Sequence, residues 1–202
     1  MMEKQEGFFF FILVFLLGIF SYVYYCKRDE LELKCILSSV DGNKYCVRER
    51  SRMSEAVDKL ARITNKCVEL VNYLKQKHPD DDRVKKLVRG FNPRRVNETL
   101  PTSTYTAYSE NKGEKTAFCL NRTSKTDNES GLIDDHTLMF VALHELSHDM
   151  TTSIGHEEDF WENFKFLLYE ANEAGIHSPI DYSKKPVEYC GMTIHDNPYY
   201  DH

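Results

Sequence analysis

Residues 144–148 read His-Glu-Leu-Ser-His. Two histidines four apart on a helix lie on one face, one turn apart. Two imidazoles so placed can reach one tetrahedral zinc ion at about 2.0–2.1 Å each. Glu145 follows the first histidine, so its carboxylate can stand beside the metal without ligating it and take a proton from activated water. A third protein donor completes such a site and leaves one position open. His156 lies eight residues past His148, about 12 Å further along a continuing helix. It reaches the metal only if the chain turns back, and Gly155 permits that turn because glycine adopts positive φ without steric cost. Glu170, on a following helix, is the carboxylate alternative. The metzincin pattern is excluded, because Thr151 and Ile154 stand where its Gly and third His belong. Asp149 is a candidate to orient His148. Tyr182, Tyr189 and His195 are the candidates to donate to an oxyanion. Without a metal, His144 and His148 would be hydrogen-bonded core histidines and Glu145 a buried acid with no stated purpose.

The run Leu138-Met139-Phe140-Val141-Ala142-Leu143 places the motif on a buried helix over about 134–151, where buried His and Glu need partners. A last helix is expected over about 157–174, with Phe160, Trp161, Phe164, Leu167, Leu168 and Ala171 on one side. Glu157, Glu158 and Asp159 suit its positive N-terminal end and Gly175 its stop. Upstream, Met53, Val57, Leu60, Ile63, Cys67, Val71 and Leu74 recur at three- and four-residue steps, which predicts an amphipathic helix over 51–76. Pro79 ends it, and a shorter helix follows at about 81–89. Residues 32–48 read as two short strands around Asp41-Gly42-Asn43, and 103–109 with 114–121 as a hairpin turning at Asn111-Lys112-Gly113. The strand at 114–121 is expected to run beside the motif helix and dock substrate as an added strand. The tail to His202 reads as irregular. This order of elements is α+β.

The chain has 202 residues, a net charge of −6 and 41% hydrophobic residues. Collagen-like, disordered and disulfide-dense mini-protein classes are excluded, since Gly is 9, Pro 6 and Cys 6. The acidic balance argues against binding nucleic acid by bulk charge. The basic run Arg83, Lys85, Lys86, Arg89, Arg94, Arg95 is the one feature that favours it. Hydrophobicity is unevenly spread. Between Phe8 and Cys26 only Gly18 and Ser21 are not hydrophobic, and no charge occurs from Gly7 to Cys26. A helix of about 20 such residues spans a ~30 Å hydrocarbon core. The run is longer than a signal-peptide core and no small-x-small site follows it before Lys27.

The expected organisation is therefore an N-terminal tail (1–7), a transmembrane anchor (8–26), a juxtamembrane linker (27–35) and a domain (36–202). Lys27, Arg28 and Lys34 favour a cytosolic domain on a single-pass membrane protein. The sequons at Asn97, Asn121 and Asn128 point the other way. Cys35 and Cys46 flank a turn and can pair in an oxidising compartment. Cys67, Cys119 and Cys190 lack C-x-x-C spacing and read as buried free thiols.

The segment 138–148, with Gly155-His156 and Phe160-Trp161, resembles the WLM and SprT-like zinc metallopeptidases. It is similar in particular to membrane-anchored WLM-type proteins of large double-stranded DNA viruses. Val40-Asp41-Gly42-Asn43, Phe91-Asn92-Pro93, the stretch 105–113 and the stretch 186–192 resemble further blocks of that group. The resemblance covers about 35–198. It implies zinc held by His144, His148 and His156, with Glu145 as base. It also implies a compact zincin-like domain with a small antiparallel sheet, acting on a protein or peptide substrate. The expected activity is membrane-anchored, zinc-dependent peptide-bond hydrolysis. The alternative is a membrane-anchored interaction protein whose zinc is structural or inactive.

Overall fold

The periodic apolar residues upstream of the motif form the longest helix of this computed structural model, which describes residues 10–24, 33–129 and 131–201. In chain order these form helix α1 (10–24), strands β1 (Lys34–Leu37) and β2 (Lys44–Val47), and helices α2 (Met53–Lys77) and α3 (Asp82–Gly90). Strands β3 (Val96–Glu98), β4 (Ala107–Glu110) and β5 (Lys115–Phe118) follow. Then come helices α4 (Asp135–Met150) and α5 (Glu158–Glu173) and strands β6 (Val187–Tyr189) and β7 (Met192–Ile194). The class is mixed α+β.

Val57, Leu60, Ile63, Leu70 and Leu74 bring one face of α2 into the core with Leu138, Leu143 and Leu146 of α4 and Phe160, Phe164 and Leu167 of α5. Burying each such side chain stabilises the fold by about 1.5–3 kcal/mol. Helix α4 is the central element and is buried on almost every side. The Asp134 carboxylate caps it by accepting from Thr137 N–H at 2.8 Å, and Asp81 caps α3 by accepting from Arg83 N–H at 2.8 Å. Gly175, at φ +71°, ends α5, with Ile176 N–H donating to the Ala171 carbonyl at 2.9 Å.

The expected antiparallel sheet is instead mixed. Its order is β3-β5-β4, with β3 parallel and β4 antiparallel to β5. The segment expected to dock substrate is thus the central strand, hydrogen-bonded on both sides, and β3 and β4 are the edges. The tail expected to be irregular contains the β6–β7 hairpin. Its turn is tied back by a disulfide from Cys190 to Cys119, which corrects the reading of both as free thiols. Cys35 and Cys46 pair across the β1–β2 hairpin, and Cys67 is a buried free thiol. Alternate residues of the charged run after β2 turn inward. Arg48 and Arg50 are buried with Glu98, whose carboxylate accepts from Arg48 N–H at 2.8 Å and pairs with the Arg50 guanidinium.

The N-terminal expectation is overturned. The described part of helix α1, 10–24, rises roughly 22 Å, short of a ~30 Å hydrocarbon core. No helix among the described residues is long and apolar enough to cross a membrane. The transmembrane anchor at 8–26, the bilayer as a partner and the single-pass membrane localisation are corrected accordingly. Residues 8, 9, 25 and 26 of that span lie outside the described residues.

Candidate metal centre

Helix α4 presents His144 and His148 one turn apart, with ring centroids 5.1 Å from each other. After α4 the chain leaves the helix at Thr151 and turns at Gly155, which has φ +90°. His156 is thereby folded back onto the helix. Its ring centroid lies 4.9 Å from that of His144 and 5.0 Å from that of His148, and its Nε2 is 3.0 Å from His144 Nε2. One nitrogen from each ring falls within 4.8 Å of the other two. Three donors on a tetrahedral zinc stand roughly 3.3 Å apart, so the cluster fits one ion after small side-chain rotations.

Phe160, fully buried on α5, packs its ring against all three imidazoles at centroid distances of 4.8, 4.4 and 4.5 Å. Trp161 donates its indole N–H to the His156 carbonyl at 3.1 Å.

The electrostatics suit a cation. Burial, reinforced by the neighbouring imidazoles, lowers His144 to about 3 and His148 to about 4, and burial lowers His156 as well. All three rings are therefore neutral at neutral pH, with lone pairs available. Glu145 is 4% exposed. Burial and then the charge of Asp149 push its carboxyl up to about 8, against the Ser109 backbone N–H, which lowers it. Burial pushes Asp149 up to about 7, against the Ser109 hydroxyl and the charge of Lys112. Asp149 accepts from Ser109 Oγ through one oxygen, and its Oδ2 is buried without a partner. Three neutral imidazoles form a donor set that a divalent cation would complete, with the buried acids Glu145 and Asp149 on the same helix.

No protein-family model matches the chain. It is 30% identical over 188 residues to "Uncharacterized protein R325" of Acanthamoeba polyphaga mimivirus, an alignment covering 90% of this chain and 93% of that protein. The chain belongs to that viral family. Among solved structures it is similar to Wss1 from Saccharomyces cerevisiae, at 17% identity and a TM-score of 0.43, over 62% of this chain and 86% of that one.

Of the residues singled out from sequence, the fold brings together His144, His148 and His156, and Glu145 is buried one position after the first of them. Glu170 is committed elsewhere, to Lys77 and His78 at 3.0 Å each. Tyr189 is buried and donates its hydroxyl to the Thr106 carbonyl at 3.2 Å. Tyr182 packs edge-on against Phe140, and the His195 ring lies 3.3 Å from the Thr193 carbonyl. In the basic run, Arg83, Lys85 and Arg95 pair with Asp81, Asp82 and Glu114, and Lys86 donates to Thr152 Oγ1. Asn121, in one of the sequons, is fully buried and bonded to Arg50.

Sequence reasoning placed Phe160 on the right helix and missed its contact with every imidazole. Its position four residues after His156 carried that signal. Ser109 and Lys112 were missed altogether, because nothing local marks a strand residue and a turn residue as neighbours of a distant helix.

Proposed function

We propose that this chain is a zinc metallopeptidase. The observation that carries the reading is the convergence of His144, His148 and His156 from a helix and a returning loop, with Glu145 buried one position from the first of them. The sequence resemblance of 138–161 to WLM and SprT-like peptidases supports it.

His144, His148 and His156 would hold the ion. When bound, zinc supplies Lewis acidity, polarising a peptide carbonyl and lowering the pKa of a water toward about 7. Glu145 accepts the proton that the attacking water gives up and delivers it to the departing amine. Its buried setting keeps competing water from that carboxylate. Phe160 restricts the imidazoles to few orientations. Strand β4 ends the order of the three-stranded sheet, and an extended substrate would add beside it as a fourth strand.

The test compares the full chain with its Glu145→Gln variant on an unfolded protein such as reduced casein. Cleavage by the wild type, at least about 100-fold slower in the variant with zinc content unchanged, supports the reading. Equal behaviour of the two proteins assigns any zinc a structural role and overturns it.

A further inference from the structure

The segment 151–157 carries His156 back to α4, and its tip is exposed, with Ile154 at 91%. A loop of this kind holds a ligand in place only if something else fixes it. Besides Trp161, which holds the His156 carbonyl, four side chains do so. Asn163 of α5 donates to Thr151 Oγ1 at 2.9 Å. Asp159 accepts from the Ser153 hydroxyl. Lys86 of α3 donates to Thr152 Oγ1. The fourth is Lys112, in the turn between β4 and β5, whose ammonium donates to the Ser153 carbonyl at 2.9 Å.

Lys112 differs from the others in what its backbone endures. It sits at φ +57°, after Asn111 at +50° and before Gly113 at +100°. Left-handed backbone is unfavourable for a residue with a Cβ. It persists where the surroundings impose it, and such strain clusters at functional sites. The surroundings here are tight. A Cβ on Gly90 would lie 2.1 Å from the Lys112 carbonyl oxygen. A Cβ on Gly113 would lie 2.6 Å from the Gly90 carbonyl carbon and 2.8 Å from Asp149 Oδ2. Asn92 N–H, just past α3, donates to the Gly113 carbonyl at 2.9 Å. The turn is thus wedged between the end of α3 and the end of α4, and Ser109 Oγ fastens the same hairpin to Asp149. From that fixed base the Lys112 side chain reaches the loop two residues before Gly155. Its charge also acts on His148 and Asp149.

We propose that Lys112 is a positioning residue for the third metal donor: it ties the loop of His156 to the rigid β4–β5 turn, so that the imidazole is held where the ion needs it. The inference rests on the metallopeptidase reading. It runs against simple electrostatics, because an ammonium near the site by itself disfavours a cation. The two effects therefore predict opposite results when Lys112 is replaced.

Zinc affinity is measured on the full chain by competition with a chromophoric chelator, alongside thermal melting of the zinc-free protein. Lys112→Gly removes the tether and relieves the backbone strain. Lys112→Met removes the ammonium and keeps the stem. Both variants are expected to bind zinc at least about tenfold more weakly, in line with other supports of metal ligands, while zinc-free Lys112→Gly melts no lower than wild type. Affinity within about twofold of wild type, or tighter, in either variant overturns the inference. So does a zinc-free Lys112→Gly chain that fails to fold, since Lys112 would then be a folding residue. A wild-type chain that binds no zinc overturns the metallopeptidase reading along with it. Zinc binding by wild type with unchanged affinity in the variants overturns this inference alone.

Discussion

Replacing Gly155 with alanine tests whether the return of His156 depends on the backbone at that one position. Gly155 has φ +90°, and a Cβ built there meets nothing within 4 Å. The substitution therefore introduces no clash, and its whole cost is the conformational penalty of a left-handed residue, about 1–2 kcal/mol. In the zinc-free chain residues 154–156 can shed that cost by rotating, because they are exposed and lie past the ties at 151–153, with only the Trp161 bond to the His156 carbonyl to give up. The zinc-bound chain cannot, because rotation would carry His156 away from His144 and His148. The penalty should appear in metal binding and not in folding. At 1.4 kcal/mol per tenfold, it weakens zinc binding about 5- to 30-fold. The assay is chelator competition for the dissociation constant, with circular dichroism melting of the zinc-free protein as the control. A zinc-free melting temperature unchanged within ~2 °C and a weaker affinity are expected. Unchanged affinity with a melting temperature several degrees lower would refute the reasoning, since the turn would then serve stability and not the donor.

Two further perturbations test the scaffold. Glu98→Ala leaves the Arg48 and Arg50 guanidinium groups buried without their carboxylate, which should cost about 3–5 kcal/mol in urea unfolding; a loss under ~1 kcal/mol would show that the cluster is not desolvated. His177, 3% exposed and stacked on His136 at 4.3 Å, is lowered from 6.5 to about 3 by burial, with the charges of His136 and Lys66 adding to the effect. Its folded pKa lies below its unfolded one, so its neutral form contributes stability that is complete above about pH 6.5 and is lost as pH falls toward 3. Wild type should lose about 1.4 kcal/mol more than His177→Phe between pH 7.5 and 5.5 in urea unfolding of the zinc-free proteins, and parallel curves would contradict this.

The residues that carry the site were legible because their signal is local. The four-residue step between His144 and His148 needs only a helix, and the apolar run before it guarantees one. Gly155 announced the turn that folds His156 back. Helix α2 was legible from its periodic apolar face. What escaped was set by contacts between distant segments. The three-residue β3 has no pattern of its own and becomes a strand through parallel pairing with β5. Cys119 and Cys190 lie 71 residues apart and gave no spacing to read. Arg48 and Arg50 sit in a stretch that looks solvated and are buried only because Glu98 meets them across the fold. The apolar stretch 8–26 misled for the opposite reason. Its composition is what a spanning helix requires, but among the described residues no helix is long and apolar enough to cross a membrane.

The proposed chemistry depends on His144, His148 and His156 holding an ion together. The most direct test is the metal content of the purified full chain, supplied with zinc and then freed of excess, read by elemental analysis beside the His148→Ala variant. One zinc per folded wild-type chain and close to none in the variant are expected. A folded wild-type chain without zinc would contradict the proposed chemistry.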